Sequence, residues 1–381
     1  MTSTDTLTLR RLNRATLQRQ GLIDRHAGSV AEVIGRLAGL QAQHANAPYV
    51  ALWSRMRDLR MSDLETALQD RSVVKATIMR ATLHLVAARD FRAFDAASVE
   101  ARRANWNPTA SRAGIDVGRL HAELLAFCRE PRTVAEIQAH LADKVPGDAL
   151  SGTAPVGVRN TLFRIASGSG GLVHVPPSGF WRSHGKPRYL DADVWLPDQP
   201  TIAPRDALVT SMERYLSAYG PASLSDVGKW VGQPRITRLR EAAATLGDRL
   251  RSYTGPDGRA LLDLADRSVP DGDVPAPARF LSRWDSVIIG YEVRDRILPE
   301  PYRDVVGTKN GDFLPTFLVD GWIAGLWATD RAKDRATIRL SPFRTVSPHD
   351  RTGLETEAVA ALRYVEPGAL DYDVRWYQPV G

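Results

Sequence analysis

The amino-acid sequence predicts an α+β fold, with three tandem winged helix-turn-helix units followed by a β-rich C-terminal part. Three observations carry that prediction. Three amphipathic stretches followed by an alternating ribbon occur three times between residues 7 and 264. Helix starts of the form Ser/Thr-x-x-acid punctuate the same region, at Ser29-Glu32, Ser62-Glu65, Thr133-Glu136 and Ser223-Asp226. In each, the hydroxyl can accept from a free N–H of the first turn while the acid reaches back to the cap. From about residue 279 onward, helical periodicity gives way to alternation broken by Gly turns.

The first unit, residues 1–105, reads TLRRLNRATLQRQ, SVAEVIGRLAGLQAQ and MSDLETALQ as helices and VVKATIMRATLHLVAA as a ribbon. Its second helix is expected to carry Gln41-Ala42-Gln43 at its end and to break at Asn46-Ala47-Pro48, since a residue before proline is biased away from helix. The second unit, 106–200, repeats the order with LHAELLAFC, TVAEIQAHL, VGVRNTLFRIAS and the ribbon LVHVPPSGFWRSHGKPRYL. In the third, 201–268, PRDALVTSMERYLSAYG stops at Gly220-Pro221 and SLSDVGKWVG is short and capped. PRITRLREAAATLG has Pro at its start and Gly at its end. RLRSYT and RALLDL flank a GPDG turn as a hairpin. VPDGDVPAPAR is a linker. Residues 279–381 supply the β-rich part, with turns at Asn310-Gly311 and Asp320-Gly321 and a helix near 355–362.

The 381 residues carry ordinary hydrophobic and charged fractions of 43% and 25%, those of a soluble globular protein. No apolar run is long enough for a membrane helix and no apolar signal core follows the N-terminus, so cytoplasm is the expected compartment. One cysteine, Cys128, leaves no intrachain disulfide and no thiolate cluster. Residues 1–120 hold 18 Arg plus Lys against 11 Asp plus Glu, more than the whole net charge of +6. Such asymmetry points to a polyanion partner on the N-terminal side.

Winged helices lodge one helix in the major groove while flanking elements touch phosphate. Arg235 and Arg238 lie on the candidate recognition helix of the third unit, and Lys75 and Arg80 lie on the first ribbon. Lys309 and Asn310 occupy the tip of GTKNGDFLP, where a cation and an amide could enter the minor groove beside Phe313 and Leu314. The ordinary reading of that tip is a solvated turn. Ser167–Gly171 lacks the Lys-Ser/Thr of a phosphate loop, no histidine has zinc-ligand spacing, and there is no GxSxG elbow. No metal or cofactor is expected. Gln41 and Gln43, two apart on a helix, share a target only where the helix ends; surface exposure is their ordinary reading.

Taken along its length, the chain resembles the AlkZ/YcaQ-like family of bacterial DNA glycosylases. The stretches that carry the likeness are LQAQHANAPYVALWSR, KATIMRATLHLVAARDF, YLSAYGPASLSDVGKWVG, RFLSRWDSVIIGYEVRDRILP and LPTFLVDGWIAGLW, spread over residues 37–327. The resemblance implies winged helices arranged around a DNA channel and hydrolysis of the N-glycosidic bond of alkylated purines. It also implies a catalytic Gln-apolar-Gln motif, here Gln41-Ala42-Gln43, where the YcaQ branch has Gln-apolar-Asp. The AlkZ branch so indicated is associated with self-resistance to DNA-alkylating natural products that leave bulky N7-guanine adducts or interstrand crosslinks. The groove-contacting hairpin of the family falls on or near GTKNGDFLP. The implied partner is damaged duplex DNA, bound by a monomer, because tandem units supply internally what a dimer supplies by symmetry. The competing expectation is a winged-helix regulator or lesion-sequestering protein without turnover.

Overall fold

The computed structural model describes residues 5–379 apart from Ala154, Val156 and His184. Helix Leu9–Arg19 opens on Thr8, whose hydroxyl accepts from the Arg11 N–H at 3.2 Å. Ser29 starts Val30–Arg36 with both halves of the capping box formed. That helix stops well short of the glutamines. The Gly39 N–H reaches back to the Ile34 carbonyl at 3.0 Å, and Ala38 and Gly39 take φ of 55° and 95°. Left-handed residues at this point close a helix. A Cβ on Gly39 would stand 2.9 Å from Val86 Cγ1, so glycine is required here twice over. The chain leaves as strand β1, Leu40–Gln41. Pro48 then opens a new helix, Ala47–Arg55, instead of ending one; in a first turn its missing N–H costs nothing.

Met61–Gln69 starts at Arg60, not Ser62, with the Asp63 carboxylate accepting from the Arg60 N–H at 2.8 Å. The other three expected capping boxes form. Strands β2 (Val73–Thr77) and β3 (Leu83–Ala87) make the first ribbon, and a 17-residue helix, Ala88–Ala104, follows it. Val117–Phe127, strand β4 (Arg132–Thr133), Val134–Ala142 and Thr161–Ser167 lead to strands β5 (Leu172–Val175) and β6 (Arg188–Asp191). The first two ribbons are not separate: β1–β3–β2–β5–β6–β4 is one six-stranded sheet, joined where Lys75 pairs with His174.

Helices Pro204–Tyr219, Leu224–Val231 and Ile236–Leu246 precede a two-stranded hairpin, β7 (Leu250–Thr254) and β8 (Ala260–Leu264). The C-terminal sheet contains β9 (Arg279–Leu281), β10 (Thr316–Val319), β11 (Trp322–Ala332), β12 (Arg335–Pro342) and β13 (Asp371–Trp376). It runs in the order β13–β12–β11–β10–β9, and helix Pro348–Val365 returns the chain so that β13 lies parallel to β12. Asp320 and Gly321, both at positive φ, form the tight β10–β11 turn that suits the twist of a hairpin.

The N-terminal cation surplus has an internal use. Arg10 and Arg14 pair with Asp320, Arg19 with Asp263, Arg25 with Glu357 and Arg55 with Asp285. Five of the expected polyanion-binding charges therefore staple the N-terminal segment to acids that follow residue 260. The Arg55–Asp285 pair is fully buried at 2.6 Å, and Asp285 also accepts from the Ser282 and Val287 N–H groups.

Candidate functional site

Gln41 and Gln43 sit at the edge of the six-stranded sheet. The strand ends at Gln41 and Gln43 lies in the bend that follows, so the two side chains meet different partners. Gln41 is opposite His84 on β3, and His84 is opposite Ala76 on β2. The Ala42 N–H continues the ladder to the Leu83 carbonyl at 2.7 Å. The Leu83 N–H then donates at 3.2 Å to Gln43 Oε1, so the side chain replaces a backbone acceptor.

The two amides have different surroundings. Gln41 is buried, and Arg80 donates to its Oε1 at 3.1 Å. The same guanidinium donates to His84 Nε2 at 3.0 Å and to the Trp230 carbonyl at 3.1 Å. Guanidinium has no acceptor, so Gln41 must show Arg80 its oxygen, and its Nε2 is left buried without a partner. The same argument fixes His84: Nε2 accepts, and Nδ1, 3.0 Å from the Thr82 carbonyl, carries the proton. Burial and then the Arg80 charge push the His84 pKa down to about 3. Arg80 and Ala81 both take left-handed φ, near 55°. No carboxylate pairs with Arg80 among the described residues, and burial lowers its pKa to about 10.

Gln43 is exposed and opens on a cleft of about 460 Å³ between the first ribbon and helix Thr161–Ser167. Asn160, Arg164 and Trp106 line it, with the Arg164 guanidinium 5.6 Å from the Trp106 ring. No Asp or Glu is among the described residues that line it. Of the two arginines that line it, Arg102 is paired with Asp95 at 2.7 Å, and Arg164 has no carboxylate partner among the described residues; an unpaired guanidinium beside amides suits a phosphodiester chain.

Past Gln43 the segment approaches the C-terminal part. Arg283 and Asp312 act on His44, whose pKa is lowered by burial first and then by the Arg283 charge. Arg283 is held by Asp312 at 2.6 Å. Asp312 belongs to the loop carrying Lys309 and Asn310, which is closed by the Thr308 N–H to the Asp312 carbonyl at 2.8 Å and a bridge from Gly307 to Phe313. Lys309 and Asn310 are exposed at its tip. Phe313 packs against Trp284 and under Arg294, so it braces the loop.

The remaining sequence-selected residues lie elsewhere. Lys75, cross-strand from Leu85 and His174, is on the sheet face opposite Gln41. It is 8% exposed with its ammonium 3.4 Å from Ser178 Oγ, out of reach of a surface phosphate. Arg235 and Arg238 are exposed but tied at 2.9 and 2.6 Å to Glu100 of the helix Ala88–Ala104. His84, Asn160, Arg164 and Arg283 were not selected from the sequence. His84 alone carried a local signal, a lone polar residue inside the apolar run LHLVA. Among the described residues no cluster of His, Cys, Asp or Glu stands where it could hold a metal ion, and no helix is long and apolar enough to cross a membrane.

The family model described as DNA glycosylase AlkZ-like matches residues 34–364. An interstrand DNA cross-link repair glycosylase of Streptomyces sahachiroi is 27% identical over 336 residues, covering 82% of this chain and 85% of that protein. The solved structure of Streptomyces sahachiroi DNA glycosylase AlkZ superposes with a TM-score of 0.80 at 21% identity, covering 98% of this chain and all of that one.

Proposed function

The chain belongs to the AlkZ-like DNA glycosylases, and on that footing we propose that it hydrolyses the N-glycosidic bond of N7-alkylated guanine in duplex DNA. The substrates include bulky natural-product adducts and crosslinked bases, and the role is repair or self-resistance to a DNA-alkylating antibiotic. In this reading the three helix-helix-helix-ribbon stretches act as winged units around a DNA channel, in a cytoplasmic monomer.

One observation carries the reading: an exposed amide, Gln43, lines a cleft with Asn160 and Arg164, two residues after the buried Gln41. An N7-alkylguanine is already cationic. When its C1′–N9 bond breaks, the bonding pair neutralises the base, which leaves without a general acid. Water adds to C1′ and releases its proton to solvent, giving an abasic site and the free base. What the protein must supply is position and a polar environment for an oxocarbenium-like transition state. Gln43 Oε1 has a second lone pair beyond the one given to Leu83, and it accepts from the attacking water. Gln41, held by Arg80, fixes the floor of the site. Neutral amides are weaker than a general base, which restricts the chemistry to labile, charged lesions.

The test is single-turnover release of base from an N7-alkylated duplex, scored as abasic sites. The unaltered chain is expected to release base, and Gln43→Ala and Gln41→Ala to lose most of that rate; the exposed Gln43→Ala should retain the parent melting temperature, whereas Gln41→Ala, which leaves Arg80 an acceptor short, should lower it while remaining folded at the assay temperature. Lesion binding with no abasic site would instead identify a sequestering protein. Unchanged rates in both variants would remove the glutamines from the mechanism.

A further inference from the structure

A cleft of about 910 Å³ lies between the helix Ala88–Ala104, the start of Pro204–Tyr219 and the helix Ile236–Leu246. It adjoins the glutamine cleft across the end of Ala88–Ala104: Asn105 and Trp106 line one, Arg103 and Asn107 the other. Arg103, Arg205, Arg235 and Arg238 all border it. A polyanion lying along the glutamine cleft would meet these guanidiniums next.

Three donors converge here on one acid. One Glu100 oxygen accepts from Arg235 Nε at 2.9 Å, and the other accepts from Arg238 at 2.6 Å and from Gln233 Nε2 at 3.1 Å. The chain itself sets up this convergence. Gln233 is 5% exposed, and its Oε1 takes the Arg235 N–H at 3.0 Å, which leaves Nε2 aimed at the carboxylate. Arg235 caps the helix Ile236–Leu246 and Arg238 follows one turn later, on the same side. Such a seat suits a singly charged group with two free oxygens, and a carboxylate and a phosphodiester both fit that description.

Glu100 is not needed to hold the helices together. Leu239 and Ala242 of Ile236–Leu246 share a buried core with Phe94 and Ala97 of Ala88–Ala104. The ion pairs are open to water: the side chains of Arg235 and Arg238 are 61% and 46% exposed, and that of Glu100 is 27% exposed. Pairs so placed contribute little to stability and break readily. An acid seated among cations where a polyanion is to bind lowers the affinity for every duplex, damaged or not. We propose that the seat made by Gln233, Arg235 and Arg238 takes a backbone phosphate of duplex DNA, and that Glu100 is its intramolecular competitor, holding both arginines shut until the strand displaces it. The assignment rests on the proposed function for its DNA partner alone, not for its chemistry. Such a competitor keeps undamaged duplex weakly held, so the protein leaves it quickly and moves to the next site.

The experiment measures anisotropy of a fluorescein-labelled undamaged duplex over about 50–200 mM salt. Glu100→Gln is expected to bind at least about fivefold more tightly than the unaltered chain, the scale of one or two exposed ion pairs, and Glu100→Ala to do the same. In a chain already carrying Arg235→Ala and Arg238→Ala, Glu100→Gln is expected to gain less than about twofold, because no arginine is left to unmask. That triple variant should also lose about 0.9 from the slope of log K against log salt relative to Glu100→Gln alone, one phosphate contact. Melting temperatures at the parent value show that each variant is folded. A gain of the same size with and without the two arginines is the general effect of removing a negative charge, and overturns the competitor. Unchanged affinity in both Glu100 variants overturns it too. Tighter binding through the arginines, with no base released from an N7-alkylated duplex, upholds the competitor and overturns the glycosylase reading; base release with no gain in affinity does the reverse. No duplex binding by any of these chains overturns both.

Discussion

Replacing Arg80 by methionine separates two roles for this residue. The sequence places it on a ribbon as a phosphate contact; the structure turns it inward onto Gln41, His84 and Trp230. A hydrogen bond from a charged donor contributes about 1.5–3 kcal/mol. If the bond to Gln41 Oε1 at 3.1 Å is what holds that amide in its reactive orientation, its loss raises the barrier by that amount. The single-turnover rate then falls on the order of 10- to 150-fold. Stability should change much less. Three acceptors lose a donor, but a desolvated guanidinium with no carboxylate beside it is removed at the same time. The assay is base release at saturating protein alongside an independent binding curve. Arg80→Lys, a single point donor in place of a fork, should fall between the two. A variant that releases base at the parental rate refutes the positioning role. A loss found wholly in affinity, with the saturated rate intact, restores Arg80 to the phosphate backbone.

Three further outcomes follow from the geometry. His84 and His174 are buried with folded pKa values near 3 against 6.5 unfolded, so protons bind the unfolded chain first. Stability is therefore full above about pH 6.5 and falls as pH drops, by about 1.4 kcal/mol per unit for each histidine. The pair together costs about 4 kcal/mol near pH 5, and denaturant midpoints against pH should show a shallower acid limb for His174→Asn. Arg55→Ala strands Asp285 in the interior and should destabilise by about 3–5 kcal/mol, read as a lowered melting temperature; a shift below 1–2 °C would mean the site relaxes or hydrates. Lys309→Ala should weaken duplex binding and reduce the slope of log K against log salt by about 0.9, whereas an unchanged slope removes the loop tip from phosphate.

What could be read from the sequence was what is decided locally. Gly220-Pro221, Pro234 and Gly247 punctuate the stretch from residue 204 to 264, and its helices and hairpin came out where those residues predicted. The end of Val30–Arg36 is not legible in sequence because LAGLQAQ keeps helical periodicity, while the stop is a backbone event at Ala38-Gly39. Pro48 is ambiguous in sequence, since proline both ends and begins helices, and here it begins one. The union of two ribbons in one sheet, like the stapling of Arg19 to Asp263, depends on partners more than 90 residues away, which no window of sequence contains. Gln41 and Gln43 were placed together, yet the division between them depends on Arg80, 39 residues on.

That division explains why position 41 carries an amide. Net charge directed attention to the whole N-terminal region, but five of its cations are neutralised by acids after residue 260. Arg80, bonded to Gln41, has no such partner among the described residues. A carboxylate at 41 would close on the Arg80 guanidinium as a buried ion pair, with its oxygens committed to that cation and no hydrogen to donate. Glutamine gives Arg80 one oxygen and keeps an N–H free. Under the proposed reaction the cationic leaving group removes the need for a strong base, so an acid at 41 would add little chemistry. A neutral amide at 41 thus satisfies the buried guanidinium without closing on it as an ion pair.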